Sequence, residues 1–481
     1  MTYQERISPV DGSVTWRGTF AEPQQVSLSI ERGVHAMASW KGVAPEVRAG
    51  VCKRFAERLR IHARAIASMI STEMGKPYWE AESEVAAAAS KVEHTLDALR
   101  SRRSIWSDEN AVSESVVRFH PIGLMAVLGP FNLPLHLPGA HIVPALLMGN
   151  GVLFKPSEKA PGVGDWIQRA WDEAGLPVGV LQTLHGGAEV ARQIVNSTSL
   201  DGVCFTGSYR VGAELHRMLA GRPECMLALE MGGNNPLIVD RVSNLTAALH
   251  VLIASCFITS GQRCTCARRL IVLDNAPNRD LMRRFAESIP DIRVGLPFDT
   301  PGPFMGPLVS TEAVRAVLAA EERLETMGAV PHVRCQQFTS HPNLLGPGVW
   351  EVSGEGVEDQ EVFGPVATIE YVNDWDEAIA SSNRTRYGLS AGLISDSREH
   401  FDRFVNEVRA GILNWNSPTT GATGKLPFGG LGSSGNHRSS GYFAIDYCSD
   451  PIASVQSPVL TQPPQLPQGL DLVFGNFRDG K

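Results

Sequence analysis

No window of this 481-residue sequence holds the roughly 18 uninterrupted apolar residues that a membrane-spanning helix needs. The opening stretch, MTYQERISPVDGSVTW, has neither a basic start nor an apolar run, so no export signal is read and a cytoplasmic location is expected. Positive charge is in deficit: 43 Lys+Arg against 51 Asp+Glu leave −8. Such a balance excludes neither solubility nor catalysis, but it argues against nucleic acid or an anionic membrane as partner. The eight cysteines form no CxxC pair, and Cys264 and Cys266 lack companions at zinc-site spacing, so neither a disulfide framework nor a metal site is expected. A Walker A string is missing, and no repeat of solenoid or propeller period occurs. With 43% hydrophobic and 20% charged residues the chain has the balance of a globular protein of several domains.

Regular patterning follows from there. Val47, Val51, Phe55, Leu59 and Ile66 form a helical stripe across 45–70, and an Ala-rich helix follows over 80–100. VSESVVRF (112–119) alternates like an edge strand. From 123 to 231, short apolar runs such as GLMAVLG, GVLFKPS, DGVCFTGS and ECMLALEM alternate with helical stretches of 10–15 residues. That pattern predicts βαβ units and a parallel sheet with its ligand site at the strands' carboxyl ends. A second alternating block begins near Pro236. Residues 416–441 read as a long functional loop, and the tail from 457 is Pro-rich.

Several strings carry chemistry, each with a plainer reading beside it. Gly430, Gly432 and Gly435 match GxGxxG, but the strand and helix that a dinucleotide fingerprint needs are not evident around them. His136 and His141 are five apart, on different helical faces, and are read as packing residues. In SGQRCTCARR, Cys264 follows a Gly turn and is read near a helix start, where amide dipoles and two arginines would acidify a thiol; otherwise it is one more small buried residue. In LALEMGGNNP, Glu230 ends an apolar strand and is either salt-bridged or poised as a base. Asn132 in GPFNLP either caps a helix or donates to an oxyanion. FKPSE offers Lys155 and Glu158 at the next strand end. Ser208 in FTGSYRVG starts a helix and either caps it or holds a phosphate.

Taken in order, GPFNLP, FKPSE, FTGSxxxG, LEMGGNNP, GQRC, EVFGP and PFGG resemble the aldehyde dehydrogenase superfamily over about residues 5–450. Within it, MGGNNP, GQRCTCARRL, PTTGA and PFGGLGSSGNHR resemble the N-succinylglutamate 5-semialdehyde dehydrogenases of bacterial arginine catabolism. Two departures stand out. Phe131 replaces a usual tryptophan, and the usual N-terminal strand with its Asn-Gly turn reads as shortened or missing.

The resemblance implies an α/β fold: a Rossmann-like NAD domain (1–102 and 122–233), an α/β catalytic domain (234–443), and a small β oligomerisation element (103–121 and 444–456), followed by the tail 457–481. It implies NAD as cofactor, and a homodimer or homotetramer paired through strand edges such as VSESVVRF. By the same resemblance Cys264 is the nucleophile, and Asn132 with the Cys264 N–H holds the oxyanion. Glu230 is the base that hydrolyses the thioester, which favours hydrolysis over transfer to CoA. Lys155 and Glu158 contact the adenosine ribose, with Glu158 disfavouring a 2′-phosphate. Gly207, Ser208 and Gly212 lie at the diphosphate. Glu361 holds the nicotinamide ribose, with Phe363 and Phe131 packed nearby. An acidic aldehyde calls for cations, for which Arg263, His437 and Arg438 are the candidates by charge. Two other readings stay open: another acidic semialdehyde (succinate or glutamate semialdehyde), and a Cys264/Glu230 thiol hydrolase with no redox step.

Overall fold

The computed structural model describes residues 3–109, 113–353, 358–460 and 467–470. The alternating block folds into a five-stranded parallel sheet. Its order is Leu181–Thr183, Gly151–Lys155, Leu124–Leu128, Gly202–Gly207 and Met226–Met231. Leu124–Leu128 and Gly151–Lys155 are buried along their whole length. Helices cover both faces, which is why these strands read as continuous apolar runs instead of alternating ones. The core on one face gathers Phe55, Leu146, Phe154 and Trp171; the other gathers Val26, Leu153, Val203 and Leu215.

A seven-stranded sheet follows, ordered Val330–Val333, Gly348–Glu351, Val366–Val372, Ala267–Leu273, Asn235–Val239, Ser390–Ile394 and Ile412–Trp415. Only the pairing of its first two strands is antiparallel. The pairing that joins Asn235 to Ala267 sets the strand after Glu230 beside the strand after Cys264.

Three expectations change. The stripe over 45–70 is two helices, Pro45–Ile61 and Ala63–Met74, broken at His62; Val47 lies in the first turn and is exposed, while Val51, Phe55, Leu59 and Ile66 are buried. The segment expected as an edge strand is the middle one. Glu114–Pro121 pairs with Trp106–Glu109 on one side and Ser449–Gln456 on the other. The N-terminal lead is present as a hairpin, Tyr3–Ile7 with Val14–Thr19. Its turn carries Gly12 at φ +74°, and the Asp11 carboxylate accepts from the Ser13 N–H at 3.0 Å. Asp-Gly does there what Asn-Gly would. Most of the Pro-rich tail lies outside the described residues. Among the described residues no helix is long and apolar enough to cross a membrane.

Candidate active site

The parallel sheet delivers GPFNLP, FKPSE, FTGS and EMGG to one edge, because each follows the carboxyl end of a neighbouring strand. Cys264 arrives from the second sheet. The helix Leu245–Phe257 ends, the chain turns through Ile258–Gly261, and the strand Ala267–Leu273 begins. Thr259 (φ 57°) and Ser260 (φ 53°) are left-handed there. Gly261 is required: a Cβ would lie 2.2 Å from the Gly364 carbonyl oxygen. The Arg268 guanidinium ties the turn together, donating to the carbonyls of Gly364 (2.8 Å), Gly261 (2.5 Å) and Arg263 (3.1 Å).

This geometry corrects the expected electrostatics of the thiol. No helix starts at Cys264, so no helix dipole acidifies it. Burial instead pushes its pKa up to about 12, the charges of Glu361 and Glu230 push the same way, and Arg263 opposes them. These surroundings hold the thiol protonated, and its activation needs a group that takes the proton.

Asn132 comes to the same place. Its Nδ2 donates to the Gln262 carbonyl at 3.0 Å, and its own carbonyl accepts from Lys76 Nζ at 2.8 Å. It does not cap the following helix, His136–Met148. That helix end is served by the Glu84 carboxylate, which accepts from the N–H groups of Leu135 (3.0 Å) and His136 (3.2 Å). Nδ2 carries a second N–H, so an oxyanion at Cys264 has a donor of suitable chemistry nearby.

Glu230 is 3% exposed and makes no ion pair among the described residues. Its Oε1 accepts from the Ser440 N–H at 3.2 Å, and its Oε2 is buried without a partner. Burial raises its pKa to about 8; Ser440 and the more distant Lys91 lower it. A carboxyl that is partly ionised near neutrality and half ionised at about pH 8, with one oxygen unengaged, has the properties of a general base. The salt-bridged reading falls.

The remaining residues form the edge of the parallel sheet. Lys155 Nζ donates to the Pro156 and Gly186 carbonyls, each at 2.8 Å, and stands 3.9 Å from the Glu158 carboxylate. Ser208 caps the helix Tyr209–Leu219, accepting from the Val211 N–H at 3.4 Å. Gly207 and Gly212 are both packed closely: added Cβ atoms would lie 2.4 Å from the Phe205 ring and the Met231 sulfur. Glu361 accepts from the Gly233 N–H at 3.2 Å, and burial lifts its pKa to about 7. Phe131 and Phe363 meet edge to face, 5.7 Å between centroids. A buried ammonium bonded only to carbonyls, a helix N-terminus capped by a hydroxyl, and a buried carboxyl without a counter-ion suit the hydroxyls and diphosphate of a dinucleotide.

The three substrate candidates separate. Arg263 lines the Cys264 cavity, a space of about 300 Å³, but its guanidinium is engaged by Glu80 (2.7 Å) and Thr259 Oγ1 (2.7 Å). His437 and Arg438 are not part of that cavity. They line another, of about 400 Å³, with Ile122, Asp201 and Phe443. Asn436 explains this, because its side chain clamps the loop to the Leu227 carbonyl (2.8 Å) and the Leu229 N–H (2.9 Å) on the outer strand. Sequence reasoning also passed over Glu80, Glu84 and Lys91. They lie on one face of the helix Tyr78–Arg102, and all are buried. The available signal was three ionisable residues on the apolar face of an amphipathic helix. Among the described residues no cluster of His, Cys, Asp or Glu could hold a metal.

Comparison with known proteins identifies the family. Residues 2–451 match the model of the aldehyde dehydrogenase family. The N-succinylglutamate 5-semialdehyde dehydrogenase of Chromohalobacter salexigens is 44% identical over 467 residues, 97% of this chain and 96% of that protein. The protein of that name from Escherichia coli K12 is 44% identical over 465 residues, 96% of this chain and 94% of the relative. Among solved structures, an indole-3-acetaldehyde dehydrogenase in complex with NAD+ superposes with a TM-score of 0.88 at 27% identity, over 95% of this chain and 93% of the other. A Sinorhizobium meliloti NAD-dependent aldehyde dehydrogenase gives 0.90 at 25% identity, over 96% and 93%. A thiol, a donor amide and an unpaired carboxyl thus converge on one site in a chain that belongs to the aldehyde dehydrogenase family.

Proposed function

We propose that this protein is an NAD-dependent N-succinyl-L-glutamate 5-semialdehyde dehydrogenase, producing N-succinyl-L-glutamate in arginine breakdown. The observation that carries the substrate is the 44% identity, over nearly the whole chain, to curated relatives of that name. The solved relatives described as NAD-dependent or NAD+-bound support the cofactor.

Cys264 Sγ adds to the aldehyde carbon as its proton passes to solvent water. Asn132 Nδ2 and the Cys264 N–H stabilise the oxyanion that forms. NAD, when bound, accepts the hydride. Lys155 and Glu158 would hold its adenosine ribose, Ser208 with Gly207 and Gly212 its diphosphate, and Glu361 its nicotinamide ribose, with Phe363 and Phe131 walling the ring. Glu230 then takes a proton from water, whose oxygen attacks the Cys264 thioester and frees the carboxylate and the thiol. A thiol hydrolase would leave Lys155, Glu361 and the capped helix without a ligand.

The NAD domain is assigned to 1–102 and 122–233, the catalytic domain to 234–443 and the oligomerisation element to 103–121 with 444–456. Exposed Ile105, Trp106, Ile452 and Val455 on that element support its pairing with a second copy, giving a homodimer or homotetramer.

The test is NADH formation with N-succinylglutamate 5-semialdehyde beside succinate and glutamate semialdehydes. A kcat/KM advantage of about a hundredfold or more for the succinylated aldehyde is expected, the scale of an unpaired polar group. Equal rates would remove the substrate assignment and leave the thioester chemistry.

A further inference from the structure

The charges around the Cys264 cavity do not cancel among the protein's own groups. Two carboxylates and two cations close as pairs: Arg263 with Glu80 at 2.7 Å, and Lys76 with Glu84 at 2.6 Å. His94 and His136 also line the cavity, and burial lowers the pKa of both. They add no positive charge at neutral pH.

Lys91 is left over. Its side chain lines the same cavity as Cys264 and is 4% exposed. Among the described residues its ammonium makes no hydrogen bond and no ion pair. Glu230 is the carboxylate whose field reaches it, from beyond ion-pair distance. Burial lowers the ammonium to about 8, so it keeps its charge at neutral pH. A buried, unpaired cation is costly in a folded protein. Here that cost sits at the wall of a substrate-sized space, where an incoming anion would remove it. Position along the helix agrees: Lys91 lies two turns beyond Glu84, on the face that carries Glu80 and Glu84 into the cavity.

We propose that Lys91 anchors a carboxylate of the substrate, setting the reach between the anionic end of the molecule and the Cys264 thiol. This rests on the acidic-aldehyde reading above and replaces His437 and Arg438 as its cationic determinants. Arg263 cannot fill the role while Glu80 and Thr259 hold its guanidinium. One ammonium matches one carboxylate; the hydroxyls of Ser83 and Ser90 on the same wall already donate to the Trp79 and Ala86 carbonyls, which leaves the ammonium as the donor.

The test compares an acidic aldehyde with a neutral one of similar length: succinate semialdehyde, N-succinylglutamate 5-semialdehyde and butanal. The readout is the ratio of kcat/KM for acid over neutral substrate. Lys91→Met is expected to lower that ratio about a hundredfold, chiefly through KM of the acidic aldehydes. Lys91→Arg is expected to keep it within about tenfold of wild type, because charge is retained while geometry differs. Lys91→Gln gives the same reading if the Met variant fails to fold, with the melting temperature and the size of the NADH burst as controls. An unchanged ratio overturns the proposal, including when all activities fall together, since a lysine serving only Glu230 or Cys264 would affect butanal equally. If wild type prefers succinate semialdehyde while Lys91→Met loses the ratio, the substrate named above falls and the anchor stands.

Discussion

Glu361 Oε2 lies only 1.8 Å from where a Cβ on Gly232 would be. The glycine after the Glu230 strand is therefore what lets this carboxylate approach, held by the Gly233 N–H. Gly232→Ala should push Glu361 aside while leaving the strand Met226–Met231 intact, because Gly232 has no positive φ to lose. If Glu361 holds the nicotinamide ribose, NAD should bind about tenfold or more weakly, the order of one hydrogen bond to a charged group. Fluorescence titration measures this, and an unchanged affinity would separate Glu361 from the cofactor.

Glu230 links catalysis to stability through pH. Its folded pKa, raised from 4.5 to about 8 by burial, means that the folded state resists ionising it. The stabilising contribution is complete below the unfolded value of 4.5 and is lost as pH rises through 8. Glu230→Gln should therefore gain about 5 kcal/mol over wild type at pH 9 and under about 0.5 kcal/mol at pH 4.5, at 1.36 kcal/mol per pKa unit. Denaturant melts at the two pH values check it. The same variant should give one NADH burst and then stall at the thioester, whereas wild-type turnover climbs with pH up to about 8. Steady turnover by Glu230→Gln at the wild-type rate would end the assignment.

Much of the frame was readable because it rests on local pattern. The strands from Leu124 to Met231 are apolar runs bounded by turns, and each was found where the spacing put it. Cys264, Glu230 and Asn132 were singled out from their strings, yet their environments were not. Whether a helix begins at Cys264 depends on the left-handed turn at Thr259 and Ser260, whose hydroxyls are held by Glu80 and the Gly306 carbonyl, residues far away in sequence. His437 and Arg438 were chosen by charge alone, and Asn436 turns them to a different cavity. Lys91 was not singled out. Its place on the apolar face of the helix Tyr78–Arg102 was open to local spacing, but the cavity it lines with Cys264 and Ser440 is assembled from distant segments.

Lys76 and Glu84 should prove the costliest pair to break. Both side chains are 1% exposed, 2.6 Å apart. Lys76 also holds the Asn132 carbonyl, and Glu84 caps the helix His136–Met148. Lys76→Met leaves a buried carboxylate without its cation, at a cost of about 3–5 kcal/mol. Lys76→Met with Glu84→Gln should cost less than that single change, because no bare charge remains. A double-mutant cycle from denaturant melts measures the coupling, and simple additivity would show that the pair does not act as a unit.

Cys264 offers the most direct view of the site's electrostatics. A thiol at about 12 is almost wholly protonated at pH 8, whereas an ordinary free cysteine, near 8.5, is substantially ionised there. Iodoacetamide should therefore label Cys264 slowly in the enzyme without cofactor, its rate rising about tenfold per pH unit between 7 and 9, as expected when thiolate fraction limits the rate. Glu361 is the strongest carboxylate influence on this thiol. Glu361→Gln should accelerate labelling at pH 8, where that carboxyl, at about 7, is mostly charged in wild type. Cys264→Ala should abolish both labelling at this position and turnover while NAD binding survives. A labelling rate that levels off below pH 9 would mean that the thiolate forms readily, and burial would not then be what governs it.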